Sequence, residues 1–136
     1  MCRKWTSSLL PQFLSLQVEQ LTPQLQLLPS TFAEYTEYES SPGRFRGFCS
    51  RCGSSILWRS EDQKDSFDLF LGTVDERWLV GEKGHDGRRI GGFGKELAMP
   101  NYKQFWCENE IPGSTNLLKG GVRYWKEDKN GEKPIE

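Results

Sequence analysis

The chain has 136 residues, with 18 Lys and Arg against 19 Asp and Glu and a formal net charge of −1. This length suits one domain that buries roughly two thirds of its extended surface in a single core. A near-neutral chain has no global field to attract nucleic acid or an anionic membrane, so neither is expected as a partner. Hydrophobic residues make up 35% of the chain, which argues against wholesale disorder despite a mean hydropathy of −0.68.

No apolar stretch approaches the roughly 18 residues that a membrane-spanning helix needs. Arg3 and Lys4 precede a leucine-rich stretch, as in a signal peptide, but Pro11 and Gln12 interrupt it and no small-residue cleavage site follows. The sequence therefore predicts a cytoplasmic protein in a reducing compartment. Its four cysteines are then free thiols or metal ligands before they are disulfides.

Alternation of apolar and polar residues with a period of two dominates the chain and predicts strands over helices. The Ser41-Pro42-Gly43 segment has the composition of a tight turn, and residues 75–79 suit one helical turn. Six glycines between residues 81 and 94 predict a long exposed loop. Predicted strands cover residues 14–18, 31–39, 54–59, 66–74, 102–108 and 122–125. The expected fold is a single mainly β domain with long loops, followed by a polar C-terminal tail at residues 127–136.

The segment Phe48-Cys49-Ser50-Arg51-Cys52-Gly53 carries the strongest chemical signal in the chain. Two thiolates at this spacing can bind one Zn²⁺ at the tip of a tight hairpin, and Gly53 permits the left-handed turn that such a tip needs. A redox pair of the thioredoxin kind would instead open a helix, whereas residues 54–58 favour a strand. Inert buried thiols are the third interpretation. We favour zinc.

A structural zinc site needs four protein ligands, and Cys49 and Cys52 supply two. The other candidates are Cys2, Cys107, His85 and some carboxylate, and neither lone cysteine has a neighbour at ligand spacing. Cys107 is predicted to be a buried packing residue, and His85 a solvated loop residue. The residues alone thus indicate half of a tetrahedral site.

Several motifs in chain order resemble the glutathione-dependent formaldehyde-activating enzyme family, which also includes centromere protein V. The resemblance covers nearly the whole chain. It rests on residues 2–8 (CRKWTSS), 40–43 (SSPG), 46–54 (RGFCSRCGS), 71–75 (LGTVD) and 104–113 (QFWCENEIPG).

This resemblance implies a zinc-binding β-tent domain over residues 1–126. It also implies a carbon–sulfur lyase that joins formaldehyde to a glutathione-type thiol, giving S-hydroxymethylglutathione. In the family a structural zinc pairs an early C-x-C with a later C-x-x-C, which corresponds to Cys49 and Cys52. A catalytic zinc uses a C-x-C-x-x-C run, whose last cysteine corresponds to Cys2. Gln104 stands where many relatives have His.

Met1 directly precedes Cys2, so the early C-x-C and the first two catalytic cysteines of the family are missing from this sequence. Either the start methionine is misassigned and the missing ligands are coded upstream, or the chain is a family scaffold that has lost its metal chemistry. We therefore expect zinc as the cofactor and no lyase activity from these 136 residues by themselves. The alternative function is a non-catalytic β-tent binding module of the same family.

Overall fold

The computed structural model describes residues 3–20, 33–126 and 134–135. The chain divides into two compact units, residues 1–75 (unit 1) and residues 76–136 (unit 2). Cys2, the predicted strand start at residues 31–32 and most of the predicted tail lie outside the described residues. Within the described ranges, no helix has the length and hydrophobicity to cross a membrane. The prediction of one domain ending at residue 126 stays a prediction.

Unit 1 is built on a five-stranded antiparallel sheet in the order β1-β5-β4-β3-β2. The predicted strands at residues 14–18, 54–59 and 66–74 are all present, and the chain turns at residues 42–43 as expected. The third of them ends early, because the chain enters a 3-10 turn at Leu71–Thr73. A mainly β fold is thereby confirmed. The strands are β1 (Phe13–Gln17), β2 (Tyr35–Ser41), β3 (Arg44–Cys49), β4 (Ser55–Ser60) and β5 (Ser66–Phe70).

A short helix, α1 (Arg3–Thr6), is held to the sheet by Trp5. The Trp5 ring meets Phe70 edge-on with 5.1 Å between centroids, and the Arg46 guanidinium lies 5.2 Å from the centre of the Trp5 ring. The Ser55 hydroxyl donates a hydrogen bond of 3.0 Å to the Trp5 carbonyl. Aromatic and cation–π contacts of this kind fix orientation as well as burying area. They anchor α1 beside the start of β4.

A polar cluster of Tyr35, Glu37 and Arg59 lies on the same face of the sheet as Gly47. In the sheet register Glu37 pairs with Gly47, and Gly47 pairs with Leu57. The Tyr35 ring lies over Gly47, where a side chain would otherwise stand. Tyr35 donates a 2.6 Å hydrogen bond to Glu37, and Arg59 donates two more, of 2.8 and 2.5 Å. These contacts tie three strands together in one register.

Unit 2 consists of short elements joined by loops. The predicted loop at residues 81–94 contains a small antiparallel hairpin, because Gly87 adopts a positive φ of 79° and closes its turn. The predicted strand at residues 102–108 is wrong beyond Gln104, since Trp106 takes a left-handed conformation with φ 61°. The elements are α2 (Glu76–Leu79), β6 (Glu82–Lys83), β7 (Arg89–Ile90), α3 (Gly94–Ala98), β8 (Lys103–Gln104) and β9 (Val122–Arg123), of which β8 and β9 pair in parallel.

Gly47→Ala should lower the free energy of unfolding by about 1–3 kcal/mol, because the new methyl group would overpack the site. An ideal Cβ at Gly47 lies 2.5 and 2.6 Å from the Cζ and Cε2 atoms of Tyr35. Gly72→Ala is the matched control, since a Cβ there meets no atom within 4 Å. Urea unfolding followed by far-ultraviolet circular dichroism measures both variants. Equal stability of the two would contradict the packing of Tyr35 on Gly47.

Glu37→Gln should cost about 1–3 kcal/mol of unfolding free energy at neutral pH, because it removes charge-assisted hydrogen bonds to Arg59. Burial raises the pKa of Glu37, but the bonds from Arg59 and Tyr35 outweigh burial and hold this pKa below its usual value. The stabilisation is therefore present above the unfolded-state pKa of about 4.3 and is lost as the pH falls through the lower folded-state pKa.

Urea unfolding at a series of pH values gives the difference between wild type and Glu37→Gln. We expect that difference to shrink as the solution is acidified. Glu108→Gln, at an exposed carboxylate in unit 2, controls for the loss of a charge. A difference that stays constant through the acidic range would rule out the ionised Glu37 as its source.

Candidate functional site

The C-x-x-C segment forms the connection between β3 and β4. Cys49 is the last residue of β3, and Ser55 is the first residue of β4. The Cys49 N–H donates to the Ser54 carbonyl at 3.0 Å, and the Gly53 N–H donates to the Cys49 carbonyl at 2.8 Å. Gly53 has a φ of 80°, as a tight turn of this kind needs. The predicted hairpin tip is confirmed, and the placement at a helix start that a thioredoxin-type pair requires is not what these residues adopt.

Ser54 and Arg51 both favour ionisation of the Cys52 sulfur. The Ser54 hydroxyl lies 3.2 Å from the Cys52 Sγ. Hydrogen bonds from the Ser54 hydroxyl and backbone, a hydrogen bond with Cys49 and the charge of Arg51 together hold the pKa of Cys52 below its usual value. Cys52 is exposed and Cys49 is half-buried. The tip therefore presents an accessible sulfur that ionises more readily than an ordinary cysteine, and the thiolate is the form that binds metals.

Backbone contacts with the segment before β2 hold the turn in place. The Ser50 N–H donates to the Glu34 carbonyl at 2.7 Å, and the Ser50 hydroxyl donates to the same oxygen at 3.0 Å. One residue further on, Tyr35 pairs with Cys49 across the sheet. The first cysteine and its neighbour are thus fixed against β2 and the residue before it, whereas Cys52 is exposed.

Cys107 differs from Cys52 in its burial and in the direction of its pKa shift. It is buried in unit 2 with 6% of its surface exposed, as predicted for a packing residue. Burial raises the pKa of the Cys107 thiol, with a further rise from Glu110, despite opposing contributions from Arg123. Arg123 donates to both carboxylate oxygens of Glu110 at 2.6 Å. Cys107 is therefore a buried, protonated thiol beside the Arg123–Glu110 ion pair. Such a thiol suits packing and not metal binding, because metals bind the thiolate.

Among the described residues, no further ligand candidate forms a metal-binding group with Cys49 and Cys52. His85 is exposed in the turn between β6 and β7, as predicted for a solvated loop residue. Cys2 lies outside the described residues, so its part in a metal site stays a prediction. Within residues 3–20, 33–126 and 134–135, no three His, Cys, Asp or Glu side chains gather as a ligand set. The described residues therefore fit half of a zinc site, with two thiols of suitable chemistry and spacing.

Sequence reasoning missed the residues that support the tip. The contact of Ser54 with Cys52 is not predicted, although a hydroxyl two residues after the second cysteine is within reach of its sulfur. Tyr35 and Glu34 gave no signal, because their contacts with Gly47 and Ser50 depend on strand pairing. The pairing of Arg123 with Glu110 is not predicted either, since thirteen residues separate them in the sequence.

Comparison of the chain with protein-family models, with curated proteins and with solved structures finds no match. The family resemblance of the cysteine motifs stays a prediction.

In the metal-free chain, the rate of Cys52 alkylation by iodoacetamide rises with pH as the thiol ionises. The midpoint of this rise should lie below about 8.5, the pKa of a free cysteine thiol. Ser54→Ala should move that midpoint upward, because it removes the hydroxyl bonded to the sulfur. Mass spectrometry of the Cys52 peptide measures the rate at each pH in the presence of a chelator. Cys107 in the same sample is the internal control and should react slowly, because it is buried.

An unchanged midpoint in Ser54→Ala would contradict the assignment of this hydroxyl as a hydrogen-bond donor to the sulfur.

Proposed function

We propose that this chain is a zinc-binding β-tent domain of the glutathione-dependent formaldehyde-activating enzyme and centromere protein V family. Cys49 and Cys52 would supply two thiolate ligands of its structural zinc. The observation that carries this proposal is the hairpin tip, where both cysteines flank one tight turn closed by Gly53. Two cysteines at C-x-x-C spacing on such a tip are a common half of a tetrahedral zinc site.

The surroundings of the two sulfurs support a metal over inert packing. Cys52 is exposed, and its sulfur accepts hydrogen bonds from Ser54. These bonds would stabilise the negative charge of a thiolate that binds a metal. Such hydrogen bonds from outside the ligand set orient thiolates and tune their basicity. Soft thiolate ligands in a tetrahedral arrangement select zinc over the harder cations Mg²⁺ and Ca²⁺.

Lyase chemistry enters the proposal through the family resemblance. In the reaction a thiolate sulfur attacks the carbonyl carbon of formaldehyde, a carbon–sulfur bond forms, and the carbonyl oxygen takes up a proton. A bound catalytic zinc would supply Lewis-acid polarisation and stabilise a thiolate. The residue of this chain that corresponds to that site is Cys2. Glutathione or a similar thiol and formaldehyde are the proposed substrates, and the cytoplasm is the proposed compartment.

A second candidate function, a non-catalytic binding module, is favoured by an open groove in unit 2. Its volume is 470 Å³, and its lining includes Arg77, Trp78, Lys83, Ile90 and Phe93. Trp78, Ile90 and Phe93 are all more than half exposed. Exposed aromatic and aliphatic side chains grouped in this way are a common feature of binding surfaces.

The purified chain should retain no more than about one zinc ion per chain, because two cysteines at the tip cannot complete two tetrahedral sites. Cys49→Ser combined with Cys52→Ser should abolish retention, and Cys107→Ser should leave it intact. Elemental analysis after gel filtration measures the zinc. We also expect no glutathione-dependent consumption of formaldehyde, since Cys2 alone corresponds to the catalytic run.

Failure to retain zinc in the wild-type chain would overturn the metal-binding proposal. Retention of two ions, or formaldehyde turnover that survives loss of Cys2, would contradict the ligand assignment.

A further inference from the structure

We propose that the open groove in unit 2 binds a small aromatic carboxylate. This inference rests on the second candidate function, a binding module, and it names the chemical class of the ligand. The residues that line the groove belong to unit 2, whereas the two cysteines of the hairpin tip belong to unit 1. The groove and the metal-binding proposal can therefore be tested separately.

Three apolar side chains line the groove and are open to solvent. The exposed fraction is 51% for Trp78, 72% for Ile90 and 58% for Phe93. Two of the three are aromatic, and aromatic pairs gain stability from stacked or edge-on contacts beyond the area that they bury. The groove volume of 470 Å³ lies within the range of roughly 300–1,000 Å³ that is usual for small-molecule sites. The groove therefore suits a small molecule with an aromatic ring.

Backbone contacts hold the walls of the groove in place. The Phe93 N–H donates to the Trp78 carbonyl at 2.7 Å, which joins α2 to the residue that precedes α3. Ile90 pairs with Glu82 in the hairpin of β6 and β7. The Arg89 guanidinium donates to the Gly81 carbonyl at 2.9 Å just before that hairpin. The exposed apolar side chains thus stand on segments that are fixed to one another.

Gly92 adds a constraint on the backbone next to these side chains. It lines the groove, and an ideal Cβ at this position would lie 2.5 Å from the Gly81 nitrogen and 2.7 Å from the Leu79 carbonyl oxygen. The chain can pass this closely only because residue 92 has no side chain. The groove is therefore formed before a ligand arrives, as most small-molecule sites are.

The charged side chains of the groove favour an anionic ligand. Its lining contains two cations, Arg77 and Lys83, against one carboxylate, Glu82. The Arg77 guanidinium lies 5.2 Å from the centre of the Trp78 ring, so a positive charge stands beside the apolar surface. Within the part of the chain that the structure describes, no ion pair involves Lys83. A carboxylate on the ligand ring would gain a charge-assisted hydrogen bond from Lys83.

The test compares two probes with the same ring system and opposite charge, 2-naphthoate and 2-naphthylmethylammonium. Isothermal titration calorimetry with the 136-residue chain measures both affinities. We expect one 2-naphthoate per chain, bound at least about fivefold more tightly than the ammonium probe, because one exposed ion pair can supply a factor of that size. The chain has five tryptophans, and of their indole N–H resonances in NMR spectra that of Trp78 should shift most. Trp78→Phe assigns this resonance.

Lys83→Glu gives a readout that a folding defect would not give. It leaves Arg77 opposite two carboxylates and should reverse the preference, so that the ammonium probe binds more tightly. Lys64→Glu makes the same change of charge at an exposed lysine of unit 1 and should leave the preference for 2-naphthoate intact. Added salt should reduce the preference, because salt screens exposed charges. Far-ultraviolet circular dichroism checks the fold of each variant.

Each alternative result has a distinct meaning. Failure of the folded chain to bind 2-naphthoate, or a Trp78 resonance that does not move, would overturn this proposal. Equal affinity for the two probes, or a preference that survives Lys83→Glu, would overturn the anionic ligand and leave the groove as a binding surface for apolar rings. A Trp78 resonance that moves with protein concentration alone would show that a second copy occupies the groove, which would also overturn it. Zinc retention, measured in the same preparation, decides the metal-binding proposal independently.

Discussion

Tyr35 lies across Gly47, and this contact between β2 and β3 fixes the register on which the candidate site depends. A slip of one residue would send the side chains of a strand to the opposite face of the sheet. It would place a side chain under the Tyr35 ring and separate Glu37 from Arg59. It would also break the pairing of Tyr35 with Cys49, so the position of the first cysteine follows from the glycine two residues before it.

The polar cluster reinforces this register by a different mechanism. Burial raises the pKa of Tyr35, and hydrogen bonding to Glu37 raises it further, so the hydroxyl stays a proton donor. Glu37 in turn accepts hydrogen bonds from Tyr35 and Arg59. The Arg59 guanidinium also makes a cation–π contact with Phe45, 4.1 Å from the centre of its ring. A half-buried carboxylate with three donors is satisfied, and any shift of β2 would leave it short of partners.

Local patterns could predict four of the five strands of unit 1 and the hairpin at the cysteines, because alternation and turn residues act over a few positions. β3 lies outside every predicted strand. Residues 54–59 illustrate this, with Gly53 before them and an apolar Leu57 at their centre. The same reasoning failed at residues 105–108. Aromatic content there suggests a strand, but Trp106 is left-handed, and its N–H bonds to the carbonyl of Lys126, twenty positions away. Long-range backbone bonds of this kind leave no local pattern.

For the candidate site, sequence spacing could identify Cys49 and Cys52 but not the difference between them. Ser50, next to Cys49, is held by the Glu34 carbonyl, whereas Cys52 is exposed. That asymmetry arises from the pairing of β2 with β3, which no single segment encodes. Cys107 has the same side chain but is buried, and burial raises its pKa, whereas Ser54 and Arg51 help to lower that of Cys52.

Among the described residues of unit 1, the buried apolar side chains belong to β4, β5 and the turn that follows, and they are Leu57, Phe67, Phe70 and Leu71. The cysteine tip lies beyond the ends of β3 and β4, and its own hydrogen bonds already close the turn. The turn thus has backbone hydrogen bonds of its own, and a metal bound there would add to these contacts and would not replace the apolar core of the sheet.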